Sequence, residues 1–309
     1  MSKIVISGYY GFANAGDEAM LTAIVKSLRK AEESVDLTVI SGNPQNTSTK
    51  HLVNSIHRFA PCKIYSALAN CDLLLSGGGS LLQDVTSKKS LLYYLAVILL
   101  GKMMNKKVML YAHGIGPIRS NVLRKITQMV CNKVDLITVR DTDSLDELRR
   151  LGVTDTKIKL TADAVLTLAQ ADKVQGFKLL QNFNLSKDKP IVAISVRNWG
   201  SDDKYLQEMA KAADMLSKEK AVQIALLPLQ YPADVVACKK LQQFMKAEAV
   251  ILDTAFDTEQ FLAIMGCFDL LIGMRLHALV FAAVMGTPFI ALSYDPKIDG
   301  FVKEVEGTN

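Results

Sequence analysis

Short runs of aliphatic and β-branched residues alternate along this chain with longer stretches whose apolar positions recur at helical spacing. In the first half the strand-like runs are Lys3 to Ser7, Leu37 to Ser41, Leu73 to Ser76, Val108 to Ala112, Leu136 to Val139 and Ile158 to Thr161. Helical patterns separate them at Asp17 to Arg29, Lys89 to Met104, Val122 to Lys133 and Ser144 to Leu151, the last stopped by Gly152, a residue that helix ends favour. The stretch from Gln170 to Lys189 breaks this rhythm: it is more polar, lacks strand alternation and ends in Lys187-Asp188-Lys189-Pro190. Beyond it the alternation starts afresh. Strands are expected at Ile191 to Val196, Gln223 to Leu227, Val250 to Leu252, Leu270 to Ile272 and Phe289 to Leu292, with helices at Asp203 to Lys218, Ala233 to Lys246, Thr258 to Cys267 and His277 to Met285.

Strand and helix in regular alternation are the mark of βαβ units. The pattern therefore predicts an α/β chain of two doubly wound parallel-sheet domains, residues 1–170 and 190–309, joined by a linker over 171–189. Two such domains in tandem resemble the GT-B architecture of many glycosyltransferases, in which the domains face each other across a cleft. Ligands of open parallel sheets lie beyond the carboxyl ends of the strands, so an active site in that cleft is the expectation.

Composition changes this picture little. With 309 residues, 50% hydrophobic and 22% charged, the chain can bury two ordinary cores, and neither disorder nor a fibrous repeat is indicated. The formal net charge of +5 suits an anionic small molecule or an acidic membrane face. Lysines and arginines are scattered among acidic residues, and no nucleic-acid-binding signature is present, so no nucleic-acid partner is expected. The five cysteines are odd in number and widely spaced; they read as reduced core thiols of a cytoplasmic protein, with no metal-binding spacing. Met1-Ser2-Lys3 leads straight into a strand, so no signal peptide is expected. The apolar run Leu91 to Leu100, flanked by Lys88, Lys89 and Lys102, is shorter than the roughly 20 residues of a membrane span. It reads as a buried helix or as a helix in peripheral contact with a membrane through its basic flanks.

Candidate chemistry gathers at strand ends. Gly8 to Glu18 follows the first strand and opens a helix, and its length favours a ligand-facing loop over a plain turn. Leu75-Ser76-Gly77-Gly78-Gly79-Ser80-Leu81 reads as strand, glycine turn and helix start, where three glycines favour a site wall of backbone amides. Gly114-Ile115-Gly116-Pro117 ends another strand. Arg140 and Arg197 each close an apolar strand; Arg140 could equally pair with a local carboxylate, Asp141 being next to it. Arg275 and His277 stand at a helix start, where a cation is disfavoured by roughly 0.3 to 1 kcal/mol. A bound anion would offset that cost; the plainer reading is a core histidine and an arginine bonded to a strand-end carbonyl. His51 and His57 read as surface residues, and His113 as a residue that could line the cleft.

These segments resemble the polysaccharide pyruvyl transferase family. The resemblance is carried by Gly11 to Met20, by Gly77-Gly78-Gly79 with Leu81-Leu82-Gln83-Asp84, and by Gly114-Ile115-Gly116-Pro117. It continues through Arg140-Asp141 with Ser144, Ala162-Asp163, and Gly273-Met274-Arg275-Leu276-His277 to Ser293-Tyr294-Asp295. Within the family the chain most resembles the CsaB-type cell-wall branch, which places a ketal pyruvate on an N-acetylmannosamine of a lipid-linked wall-polymer precursor. The tail Lys297 to Asn309 is shorter than the family's usual continuation, which leaves a truncated C-terminal domain open.

The resemblance implies phosphoenolpyruvate as donor, a saccharide diol as acceptor, 4,6-ketal formation with release of phosphate, and neither cofactor nor metal. Arg140, Arg197 and Arg275 are the candidate donor-binding residues, since guanidinium forks match carboxylate and phosphate. His277 is the candidate catalytic acid, because an imidazole titrates near neutral pH. Asn14, Gly16, Asp17, Gly78, Gly79 and Gln83 are the candidate acceptor-binding residues. The expected setting is cytoplasmic, with peripheral contact at the inner membrane face left open, as is the oligomeric state. A nucleotide-sugar glycosyltransferase of the same architecture, or a non-catalytic saccharide- or nucleotide-binding module, is the alternative.

Overall fold

Strands buried on both faces must be covered by helices on both faces, and this requirement shapes each of the two compact units into which the chain divides. The computed structural model describes residues 1–200 and 202–306. One unit comprises Met1–Phe12 and Asp17–Thr167; the other comprises Ala13–Gly16 and Leu168–Asn309.

In the first unit the elements run β1 (Lys3–Ser7), α1 (Ala15–Ala31, its first two residues belonging to the other unit), β2 (Asp36–Ser41), α2 (Pro44–His51), β3 (Asn54–His57), α3 (Pro61–Ala69) and β4 (Leu73–Leu82). They continue with α4 (Lys88–Met103), β5 (Lys107–Ile115), α5 (Asn121–Cys131), β6 (Leu136–Val139), α6 (Thr142–Leu151) and β7 (Ile158–Leu160). The seven strands are parallel in the order β3-β2-β1-β4-β5-β6-β7, so the direction of winding reverses between β1 and β4. The edge strand β3 and the polar helix α2 were not legible as apolar periodicity, because Asn54–His57 contributes no buried residue. The available signal was Asn43-Pro44: Asn43 accepts a hydrogen bond from the Asn46 amide as N-cap, and proline fits the first helical position.

The apolar run Leu91 to Leu100 lies in α4, where Leu91, Tyr94, Leu95, Val97 and Ile98 are core residues and Leu92 is exposed. Lys102 is tied to Asp135 at 2.7 Å and to the Lys106 carbonyl. Among the described residues no helix is long and apolar enough to cross a membrane.

The second unit contains α7 (Lys173–Gln181), β8 (Ile191–Ser195), α8 (Lys204–Lys220), β9 (Gln223–Leu226), α9 (Ala233–Phe244) and β10 (Ala249–Ile251). These are followed by α10 (Thr258–Met265), β11 (Leu270–Gly273), α11 (Leu276–Met285), β12 (Phe289–Ala291) and α12 (Pro296–Glu306). Its five strands are parallel in the order β10-β9-β8-β11-β12, with the reversal between β8 and β11. All five residues of β8 are buried. Helices α8 and α9 cover one face through Leu206, Met209, Ala213, Ala237 and Leu241.

Within the segment 171–189, expected as linker, nine residues form α7, capped by Asp172 and packed on α10. A Cβ on Gly176 would come within 2.1 Å of the Ala263 carbonyl oxygen, and the Cys267 thiol donates to the Lys173 carbonyl. The sequence hid this because only Gly176 and Leu180 of the helix are buried. Pro296–Glu306 is likewise helical, with Ile298 and Phe301 buried and Phe301 stacked on Phe289, and the last three residues of the tail lie outside the described residues.

Candidate active site

Arg197 and Arg275 follow the two strands that flank the reversal of the second sheet. Ser195 of β8 is paired in register with Gly273 of β11, and the Met274 amide donates to the Ser195 carbonyl, so both arginines leave the same carboxyl edge two residues beyond that pair. This edge is where open parallel sheets receive ligands. A surface hollow of about 370 Å³ lies at the opposite edge, by Ile191 and Asp269 where β8 and β11 begin, and holds none of the candidate residues.

The two arginines differ in what neutralises them. Arg275, at the N-cap of α11, sends Nε to Asp234 Oδ2 at 2.9 Å and Nη2 to Asp234 Oδ1, with a further bond from Nη2 to Gln230 Oε1 at 3.3 Å. Asp234, in the first turn of α9 and almost fully buried, also accepts the Gln230 amide at 2.9 Å. This carboxylate was missed in the sequence, where it looks like an ordinary acidic residue of a helix's first turn. Charge-assisted bonds worth about 1.5 to 3 kcal/mol exceed the dipole cost of about 0.3 to 1 kcal/mol, so Asp234 supplies the compensation expected from a bound anion. The position of Arg275 at the helix start is thus explained without a ligand.

Arg197 is different. Nη1 donates to the Tyr294 hydroxyl at 2.8 Å and the guanidinium lies over the Tyr294 ring at 5.4 Å, yet among the described residues no carboxylate pairs with it. Its Nε is buried without a hydrogen-bond partner. An unsatisfied buried donor costs about 1 to 3 kcal/mol.

His277 sits half-buried in the first turn of α11. The residues against its ring come from the start of the chain: a Cβ on Gly16 would lie 2.1 Å from Nδ1 and 2.3 Å from Cγ, so only glycine allows this approach. Asn14 holds the turn by accepting the Gly16 amide at 3.0 Å and bridges Gln230, while the Ala15 amide donates to the Leu229 carbonyl. Asn14 and Gly16, expected in the first domain, therefore belong to the second unit, beside His277 and the Gln230 turn.

The remaining candidates lie in the first unit and are engaged by the protein itself. Arg140 is buried; Nε meets Asp141 at 3.3 Å, Nη1 meets Asp163 at 3.2 Å and Nη2 meets Ser80 Oγ at 3.1 Å. A Cβ on Gly114 would fall 2.8 Å from Nη2. The local-carboxylate alternative describes its contacts, with a second carboxylate added. The glycine triplet stays within β4 and starts no helix. A Cβ on Gly78 would lie 2.5 Å from Met20 Sδ and displace that side chain, and Gly79 has φ +85° with Asp17 Oδ1 close by. Gln83 accepts the Thr86 amide at 2.9 Å.

The other histidines also take new places. His113 is fully buried and bonded through Nε2 to the Ser76 carbonyl at 3.0 Å. Burial, aided by the Arg140 charge and opposed by that bond, lowers it to about 4. It is a neutral core residue and no wall of a cleft. His51, expected at the surface, is buried and bonded to Glu18 at 3.0 Å. Burial raises the Glu18 carboxyl, but the bonds from His51 and the Gly11 amide outweigh it and hold the group below the usual range. His57 is exposed. Of the five free cysteines only Cys62 is exposed, and burial pushes Cys131 and Cys238 up to about 12, far from a reactive thiolate.

Comparison with known proteins sets these residues in context. Among solved structures, the HepE protein of Anabaena in complex with UDP and glucose has a TM-score of 0.63 at 14% identity, covering 94% of this chain and 80% of that one. UDP-GlcNAc 2-epimerase of Neisseria meningitidis, bound to UDP-GlcNAc, gives 0.65 at 12% identity over 97% and 85% of the two chains. ADP-heptose heptosyltransferase II of E. coli gives 0.55 at 12% identity over 96% and 86%. These neighbours identify the fold as GT-B-like. In sequence, the amylovoran biosynthesis protein AmsJ of Erwinia amylovora is 24% identical over 98% of this chain and 86% of its own. The family pattern of the polysaccharide pyruvyl transferases matches residues 14–296, a span that includes Asn14, the Arg140 cluster, Asp234 and the Arg275 to His277 turn. The chain belongs to the polysaccharide pyruvyl transferase family.

Proposed function

We propose that this transferase takes its pyruvyl group from phosphoenolpyruvate and closes it as a 4,6-ketal on a sugar diol of a polysaccharide precursor. The observation that carries the reading is Arg197, a cation that no carboxylate among the described residues pairs with, at the ligand edge of the second sheet. Phosphoenolpyruvate carries two anionic groups, and Arg197 with the rim of Arg275 offers guanidinium donors to both. Arg140, spent on Asp141 and Asp163, is left out of this set.

In the proposed reaction His277 gives a proton to the methylene carbon, leaving an electron-poor carbon between the carboxylate and the phosphate ester oxygen. One sugar hydroxyl adds to that carbon, the carbon–oxygen bond to phosphorus breaks, and the second hydroxyl closes the ring. The two hydroxyl protons balance the one delivered to carbon and the one leaving on hydrogen phosphate. Gly16 packs on the Nδ1 edge of His277 and fixes the ring, so Gly16 and Asn14 orient the acid in this scheme. The acceptor as an N-acetylmannosamine residue on a lipid carrier, with contact at a membrane face, is the finest grain of the reading and follows the resemblance to the cell-wall branch.

The test is release of inorganic phosphate from phosphoenolpyruvate, dependent on an added acceptor diol, with the ketal identified by mass. The glycosyltransferase alternative predicts release of a nucleoside diphosphate from a nucleotide sugar. That result, with no phosphate from phosphoenolpyruvate across lipid-linked and synthetic acceptors, would overturn the proposal.

A further inference from the structure

Trp199 is the sole tryptophan of the chain, and 47% of it is exposed. It lies on the loop that leaves β8, two residues beyond Arg197, and its ring meets Tyr294 with centroids 4.5 Å apart at 57°. Tyr294 follows β12, and Arg197 lies over its ring while bonding its hydroxyl. Lys297 approaches the same ring at 6.0 Å and pairs with Asp295 at 3.3 Å. Tyr205 of α8 donates its hydroxyl to the Arg197 carbonyl, pinning the loop from below. A wide aromatic face is therefore held at the ligand edge of the second sheet, framed by groups that donate (Arg197, Lys297) and accept (Asp295) hydrogen bonds.

Resting on the donor reading above, we propose that Trp199 is the stacking platform for a pyranose ring of the acceptor saccharide. A pyranose presents a face of C–H groups, suited to a large apolar ring, and a rim of hydroxyls that both donate and accept. The charged groups gathered at Tyr294, on which Trp199 packs, match that rim. Arg197 links the two halves: one of its faces holds Tyr294 behind the platform, and its half-buried guanidinium serves the donor anion. The acceptor diol is thereby set beside the carbon it attacks. This moves the acceptor contact from the glycine triplet of the first unit to the second unit, where His277 lies.

Because Trp199 is unique, its emission reports the site directly. The experiment titrates the full chain, without phosphoenolpyruvate, with methyl glycosides of glucose, galactose and N-acetylmannosamine and with oligosaccharides containing them, and in a parallel arm with UDP. The proposal expects saturable change of the emission with at least one saccharide and none with UDP. Trp199→Ala should raise the acceptor KM by roughly tenfold with the donor KM unmoved, and Trp199→Phe should recover most of that loss. Emission unmoved by every saccharide overturns the platform, as does a response to UDP alone, which would mark a nucleobase site. A saturable saccharide response without any phosphate release would instead sink the ketal reading and leave the platform standing.

Discussion

Arg140 in the first unit and Arg197 in the second each follow the carboxyl end of a parallel strand, and they have opposite electrostatic surroundings. Arg140 has two carboxylates and a hydroxyl on its three nitrogens and is buried with them. Arg197 has a phenol, an aromatic face and an empty Nε. Arg275 stands between, matched by the single carboxylate of Asp234. A buried cation whose charge is already balanced holds the fold together, whereas one left unbalanced at a strand's carboxyl edge has the charge to attract an anion. The lesson is that three strand-end arginines in a sequence are not three ligands; the count of carboxylates around each decides.

The comparison breaks most visibly at Arg140. Arg140→Ala leaves Asp141 and Asp163 buried without their partner and should cost about 3 to 5 kcal/mol of stability, read as a lower urea midpoint. Unchanged stability with lost donor affinity would return Arg140 to the binding site. The neighbouring His113 sharpens the same contrast through pH. It is held at about 4 in the folded protein against 6.5 for the free imidazole, so between these values the unfolded chain takes a proton that the folded one refuses. Its stability contribution is full above about pH 6.5 and falls, by about 3 kcal/mol in total, as pH drops toward about 4. Urea midpoints across that window should decline less steeply for His113→Asn than for the unaltered chain, even if the variant starts lower.

On the other side of the comparison, His277→Gln keeps a polar side chain of similar reach and removes the transferable proton. Turnover should fall about a hundredfold, with donor affinity by calorimetry changing little. Near-normal turnover would move the acid role elsewhere; His113 is barred from it by burial. Arg197→Ala should weaken phosphoenolpyruvate binding by about 1.5 to 3 kcal/mol, with little loss of stability. The smallest effect belongs to Asp234→Asn, which keeps acceptors for the Gln230 amide and Arg275 but removes the balancing charge. A rise in donor KM of roughly tenfold with a lesser change in kcat is expected of a residue that only positions Arg275, and restoration by Asp234→Glu would support that role. Equal losses in kcat and kcat/KM would place Asp234 in the chemistry itself.

The edges of this molecule were hard to read for one reason: the sequence pattern registers burial. Strand β3, helix α2 and helix α7 each bury few side chains, so their periodicity is faint, and only the capping residues Asn43 and Asp172 marked the helices. The other strands were located by the pattern, although β4 runs six residues past the expected Ser76 to Leu82, and helix α3, with Ile64 and Leu68 buried, was not expected. The same limit governed the site. Arg197, Arg275 and His277 stand at strand ends and helix starts that the pattern locates, but Asp234 and Tyr294 are far from them in the chain and carry no local signal.

By itself, the sequence determined that the chain alternates strand and helix, where the parallel strands end, and which family motifs follow those ends, since these depend on local periodicity and nearby residues. Tertiary structure alone decided which charges meet. It brought Asp234 to Arg275 across 41 residues and Asp163 to Arg140 across 23, and it set Gly16 against His277. Electrostatic matching acts over a few ångströms of space with no regard to distance along the chain. Only the folded arrangement could therefore separate the arginine paired with two carboxylates in the first unit from the one paired, among the described residues, with none in the second.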